Sequence, residues 1–282
     1  MQKNEAAKLQ AMFSLSGRVA AITGAGGVLF GAVARGLAEL GVQVACLDLQ
    51  AAAAQKTAAE IQAAGGAASS IAMDVLKVES VTRARDMLLS QYGRLDILIN
   101  GAGGNHPQAT TNPEKNISFP DLSLAGLQAT FDLNIMGTII PSMIFGQIMI
   151  QQQEGVILNV SSMSADTPLT RITAYAAAKA GISNFTKWLA ADMALNHSPR
   201  IRVNEIRPGF FPTHQNAELI NRTPGTLLTT RGEDILGHTP QRRYGKPEEL
   251  LGAIVYLCSP SASFTTGSSI AIDGGFGSFS GV

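Results

Sequence analysis

The amino-acid sequence predicts a doubly wound α/β fold: a single Rossmann-like domain on a parallel sheet of about seven strands, with helices on both faces. Three observations predict it. Short β-branched and apolar runs alternate with longer helical stretches, the order expected of strands joined by crossover helices. The runs are almost continuously apolar, as strands buried on both faces require. A glycine-rich turn, TGAGGVLFG, joins the first run to a helical stretch, and an acid, Asp48, ends the second.

The predicted strands fall at 18–23, 42–48, 69–74, 95–100, 155–161, 200–206 and 268–273. Helical patterns occupy the intervals near 29–40, 51–64, 77–92, 121–152, 174–197 and 247–258. The last begins at Pro247, Glu248 and Glu249: proline suits a first turn that has no use for its N–H, and the acids meet the positive end of the helix dipole. Two segments, about 104–120 and 209–246, are too long for simple connections and read as a binding loop and a substrate lid. Residues 1–16 read as a helical arm appended to a domain over 17–282, with no linker or repeat dividing it.

The composition narrows the function. Among 282 residues, 21 Lys and Arg balance 21 Asp and Glu. Neither a basic face for nucleic acid nor a polybasic membrane patch is expected. No apolar run approaches the ~18 residues of a membrane span. The opening MQKNEAAKLQ is polar and carries an acid, unlike a secretory signal. Cys46 and Cys258 stand far apart and form no disulfide framework, which fits a reducing cytoplasm. The four histidines lack metal-ligand spacing, so no metal is expected.

Glycines in the first turn permit a tight bend and close approach to a pyrophosphate at a helix N-terminus. Asp48 can accept the hydroxyls of an adenosine ribose and repels a 2′-phosphate; Leu49 and Gln50 offer such a phosphate no cation. The cofactor expected is NAD. Tyr175 and Lys179 are spaced i, i+4 and share one helix face. Ser162 ends an apolar strand, at the edge where open α/β sheets bind ligands. Asn134 sits inside a helical pattern, an unfavourable place for its amide without a partner.

These residues, in this order, resemble the short-chain dehydrogenase/reductase family over about 15–282. The resemblance implies a catalytic Ser162, Tyr175 and Lys179, with Asn134 as a fourth member relaying protons from Lys179 through water. It implies cofactor contacts from Gly24, Gly27, Val28, Leu29, Asp48, Asp74 and Val75. Further contacts are implied from Asn100, Ala102 and Gly103, from Tyr175 and Lys179, and from Pro208, Gly209, Phe211 and Thr213. There are two departures. Val28 and Phe30 occupy the second and third glycine places of the family's TGxxxGxG loop, and Gly101 replaces the second Asn of its Asn-Asn-Ala-Gly turn.

The family chemistry implies a tyrosinate base. Lys179 and the oxidised nicotinamide are expected to lower the Tyr175 pKa from its ordinary ~10, while Ser162 bonds the substrate oxygen. The lid is polar, and His106, His214, Asn216, Arg222, Arg231 and His238 are the candidate substrate contacts. Arginine is the preferred partner of a carboxylate. The lid and the ending DGGFGSFSGV resemble the sugar-acid branch of the family related to D-mannonate oxidoreductase, which implies substrates such as D-mannonate and D-fructuronate. The family also implies a homotetramer, and the apolar tail is expected to be ordered near a neighbouring subunit's lid. Two other readings stand beside this one: a non-catalytic dinucleotide sensor, which should have lost Tyr175 or Lys179, and a dehydrogenase of another polyol or small hydroxy compound.

Overall fold

A computed structural model describes residues 2–213, 221–223 and 227–281. Seven parallel strands form the main sheet: β1 (Val19–Thr23), β2 (Gln43–Asp48), β3 (Ala68–Ala72), β4 (Ile97–Asn100), β5 (Gly155–Val160), β6 (Ile201–Pro208) and β9 (Ser269–Ile272). Their order is β3-β2-β1-β4-β5-β6-β9. The chain therefore reverses its direction of travel between β1 and β4, where open α/β sheets form a crevice beyond the strand carboxyl ends. The ladders pair Thr23 with Asn100 and Asn100 with Asn159, so the loops after β1, β4 and β5 open at one level.

Helices α1 (Gln2–Met12), α2 (Val28–Glu39), α3 (Ala51–Ala63) and α4 (Val78–Tyr92) follow closely the predicted intervals. Two apolar layers cover the sheet, one including Val33, Leu37 and Ile254, the other Leu88, Phe145 and Met149. Cys46 and Cys258 lie free in the first layer, and burial pushes both thiols up to about 12. The arm α1 reaches the domain where Ser261 Oγ donates to the Met12 carbonyl at 3.0 Å.

The helix expected over 121–152 is broken. It forms as α5 (Leu124–Phe131), a π-turn at Asp132–Met136, and α6 (Gly137–Gln152). Together, Leu124–Gln152 is long and apolar enough to cross a membrane, contrary to the expectation that no such stretch exists. Its most apolar window is, however, 61% buried inside the protein. It is a core helix whose apolar surface is spent on the sheet.

The long helix α7 (Thr173–Asn196) carries Tyr175 and Lys179. The lid contains a small hairpin, β7 (Asn221–Thr223) with β8 (Leu227–Leu228), and a helix that sequence reading missed, α8 (Thr230–His238). Its signal was present: Thr229 is an N-cap whose side chain accepts the Gly232 N–H at 2.9 Å. Helix α9 (Leu251–Cys258) follows a 3₁₀ turn at Pro247–Leu250.

Candidate active site

A cleft of about 750 Å³ lies at the β1/β4 crevice. Its lining includes every proposed cofactor residue except Asn100, together with Ser162. At its floor, Gly24 has φ +70, and a Cβ there would stand 3.1 Å from the backbone of Gly101 and Ala102. Both the left-handed backbone and the close approach demand glycine. Asp48 holds the far end: its Oδ2 accepts the Gly26 N–H and its Oδ1 the Gln50 N–H, each at 2.9 Å. The carboxylate is thus fixed at the cleft mouth.

The two departures in the glycine loop and turn explain one another. Val28 and Phe30 lie in the first turn of α2, where ordinary right-handed backbone needs no glycine. The Phe30 ring turns inward and is buried. A Cβ on Gly101 would meet that ring at 2.5 Å and the Thr23 carbonyl at 2.7 Å. The side chain gained at 30 fills the space given up at 101.

Ser162, Tyr175 and Lys179 converge on the opposite wall. Ser162 Oγ accepts from the Ser164 N–H at 3.1 Å and from the Ser164 hydroxyl at 3.0 Å, leaving its own proton to donate. Ser162 is the polar neighbour that favours the Tyr175 phenolate. The Lys179 Nζ donates to the Val160 carbonyl at 2.9 Å and stands 5.4 Å from the centre of the Tyr175 ring. Burial dominates the ionisation of both groups. It pushes the Tyr175 hydroxyl up, with Ser162 pulling the other way, and brings Lys179 down to about 8, with Glu205 countering. The expected lowering of Tyr175 by Lys179 is therefore corrected: without cofactor charge, desolvation wins and the phenol stays protonated at neutral pH.

A family model described as enoyl-(acyl carrier protein) reductase matches residues 30–277. The chain belongs to the short-chain dehydrogenase/reductase family. It is accordingly an oxidoreductase acting on alcohol groups. It is 45% identical over 276 residues to UxuB, an uncharacterised oxidoreductase of Bacillus subtilis (strain 168), covering 95% of this chain and 98% of that one. A protein of Haemophilus influenza provisionally named D-mannonate oxidoreductase, solved with bound NAD, is 42% identical. It superposes with a TM-score of 0.89 over 97% of this chain and 100% of that chain. A gluconate 5-dehydrogenase from Burkholderia cenocepacia J2315, in complex with NADP and tartrate, is 29% identical with a TM-score of 0.82. That match covers 96% of this chain and 99% of the other.

Within this family member, several residues stand elsewhere than expected. Asn100 lies beneath the cleft, where its Nδ2 donates to Ser142 at 2.9 Å and to Asn159 at 2.8 Å. It is a strut under the turn, since its strand position points the side chain into the core. Asn134, at the π-turn, flanks Gly103 together with Lys179: a Cβ on Gly103 would stand 3.2 Å from the Lys179 Nζ and 2.8 Å from the Asn134 Oδ1. Its Nδ2 donates to the carbonyls of Gly104 and Thr130 at 2.6 and 2.8 Å, and its Oδ1 accepts the Gly104 N–H at 3.2 Å. The extra residue of a π-turn frees a carbonyl and turns a side chain off the helical register, a device common at functional sites.

The substrate candidates separate. His106 uses Nδ1 to accept the Gln108 N–H at 3.2 Å, capping a short turn. His238 is not turned to the cleft: its ring packs 4.6 Å from Phe276 and 5.3 Å from Phe279. The tail thus meets the lid of its own chain, where Thr239 and Pro240 border the turn at Gly274 and Gly275 that follows β9. Arg231 bridges lid and loop, donating to the Thr170 hydroxyl at 2.8 Å and carbonyl at 3.2 Å. His214 and Asn216 lie outside the described residues, as does the side chain of Arg222. Sequence reading missed Ser164, Arg171 and Glu205. Arg171 has a left-handed backbone, φ +78, which no single-sequence pattern signals.

Proposed function

We propose that the chain is an NAD-dependent dehydrogenase interconverting a secondary alcohol and a ketone on a polyhydroxy sugar acid. The observation that carries this reading is the meeting of Ser162, Tyr175 and Lys179 on the wall of a cleft whose floor is a glycine cradle. The residues present suit NAD: Gly24 and Gly103 leave room that a Cβ would fill, and Asp48 stands where a ribose diol needs an acceptor. When bound, NAD supplies the hydride acceptor.

The protein's part is acid–base chemistry and orientation. Tyr175 takes the proton of the substrate hydroxyl. Ser162, held by Ser164, donates to the same oxygen and stabilises the charge developing there. Lys179 favours the phenolate and would hold the nicotinamide ribose. Asn134 keeps the Gly103–Gly104 turn in place beside Lys179.

Support for an anionic substrate comes from Arg171 and Arg231, on neighbouring loop and lid. Burial and the charge of Arg171 hold Arg231 below its ordinary value, Asp234 countering, and among the described residues the Arg231 Nε is buried without a hydrogen-bond partner. Arg171 is already paired with Glu114 at 3.7 Å, so the unsatisfied Arg231 N–H is the group that suits a carboxylate. D-Mannonate and D-fructuronate are the substrates we favour, in keeping with the resemblance of lid and tail and with the name given to the Haemophilus relative. Nicotinamide absorbance with NAD⁺ and a panel of hexonates and neutral polyols tests the reading. Hexonates should be oxidised and their neutral counterparts poorly so; a panel in which no hexonate is turned over refutes it.

The cofactor choice is testable separately. Asp48→Ser combined with Leu49→Arg should raise the NADP-to-NAD ratio of kcat/KM by about 10- to 100-fold, the worth of one or two charge-assisted hydrogen bonds. We further propose a cytoplasmic homotetramer; exposed Met143, Trp188 and Leu195 offer apolar area on the outer helices. Since Phe279 packs on His238 of its own lid, deleting 277–282 should leave the mass by light scattering unchanged. It should raise the substrate KM by about 2- to 10-fold, the equivalent of one aromatic pair.

A further inference from the structure

Besides Arg202, strand β6 carries two further charges where apolar residues would fill the interior better. Glu205 is 1% exposed and Arg207 is 13% exposed. Burying an ion pair costs desolvation that its mutual attraction only partly returns, so packing alone does not account for it.

The pair reaches the active site in two directions. Arg207 Nε donates to Glu205 Oε1 at 2.7 Å, and its Nη1 contacts Asp166 Oδ2. Asp166 closes the 3₁₀ turn Met163–Ala165, whose N-cap is Ser162. Arg207 therefore ties the turn that begins at Ser162 to a rigid central strand. In the other direction, Glu205 Oε1 accepts from Ser269, while Oε2 is buried with no hydrogen-bond partner among the described residues. The carboxylate lies by Ser183 and Thr186 of α7, on the face that carries Lys179 one turn earlier. Ser183 Oγ itself bonds the Lys179 carbonyl at 3.2 Å.

We propose that Glu205 and Arg207 are a positioning pair for the active site. Arg207 clamps the Ser162 turn through Asp166, and Glu205 anchors Arg207 while placing its carboxylate beside the turn of α7 that follows Lys179. The charged groups around Glu205 are Lys179 and Lys187 from α7 and Arg207 from its own strand, with Asp166 beyond. Strand β9 contributes the Ser269 hydroxyl, and β5 presents Asn159 at the same register. Glu205 raises Lys179 against its burial, while burial also pushes the Glu205 carboxyl up and the hydroxyls of Ser269, Ser183 and Thr186 pull it back.

The sign follows. Lys179, near 8, is charged below that pH and neutral above it. Removing the Glu205 charge lowers it further, so the alkaline limb of activity moves to lower pH. The inference rests on the dehydrogenase reading, since Ser162 and Lys179 are the groups it serves.

The test compares kcat–pH profiles of the full-length wild type, Glu205→Gln and Asp166→Asn with NAD⁺ and the best hexonate. Glu205→Gln is nearly isosteric and keeps an oxygen for Arg207. Its alkaline limb should shift down by about one pH unit, with rates converging on wild type at acid pH. A merely structural role would lower the rate alike at every pH. Asp166 is exposed, so Asp166→Asn should fold, and it should lose about tenfold in kcat at all pH with NAD KM unchanged. Arg207→Gln should match it, and the double variant should lose no more than either single. A Glu205→Gln profile superimposable on wild type, or Asp166→Asn at full kcat, overturns the assignment. If Tyr175→Phe kept activity, the dehydrogenase reading itself would fall and the positioning role with it. An inactive Tyr175→Phe beside an unshifted Glu205→Gln would overturn the positioning role alone.

Discussion

Tyr175→Phe should lower kcat by at least ~10²–10⁴-fold, the usual contribution of one general acid–base group, while leaving NAD affinity nearly intact. The substitution deletes a single hydroxyl, the one whose phenolate Ser162 favours, and keeps the ring beneath the Lys179 ammonium. Steady-state kinetics with NAD⁺ and a hexonate, alongside NAD binding by fluorescence, check both halves. A variant retaining over about a tenth of the wild-type rate would show that the proton is taken elsewhere. Burial adds a further expectation. Because it holds the free phenol up, the base form must be favoured by the bound oxidised cofactor, and the rate of alcohol oxidation should climb through neutral pH.

The second large effect concerns Phe30 and Gly101. Gly101→Asn restores the more usual residue of the family and should nonetheless destabilise the chain by about 1–3 kcal/mol or more, the cost of overpacking. Its Cβ would overlap the Phe30 ring and crowd the Thr23 carbonyl. Phe30→Gly should cost about 3–5 kcal/mol by emptying a buried aromatic site. Combined, the two should be less harmful than their sum by about 1–3 kcal/mol, because each relieves the other's defect. Thermal melts of the four proteins of this cycle provide the measurement. Strict additivity would mean that the two positions changed independently.

That pairing also marks where reading the sequence stopped. The seven strands, the glycine turn after β1 and the place of Asp48 were legible because each rests on local signals: apolar runs, a glycine turn, an acid closing a strand; the strand order that makes a crevice at β1 was not. Tyr175 and Lys179 were legible because helical spacing puts them on one face. The two departures were visible singly, yet their contact joins residues 71 positions apart, and no spacing rule connects them. Asn134 was singled out for the right reason, an amide inside a helix, but its partner could not be named without the π-turn. His238 read as a lid donor because it is polar; the aromatic tail that covers it approaches through the fold. Glu205 and Arg207 gave no signal at all, since two charges of opposite sign two residues apart on a strand ordinarily read as a solvated face.

The two thiols have a practical consequence. Both sulfurs are sealed in one apolar layer and remain protonated far above neutral pH, so neither offers a nucleophilic thiolate to a maleimide or an iodoacetamide. The protein is therefore a ready host for site-specific labelling without first stripping its native cysteines. A cysteine placed at exposed Glu233 on α8 would be the sole reactive handle, and a dye there would report lid movement during turnover as a fluorescence change.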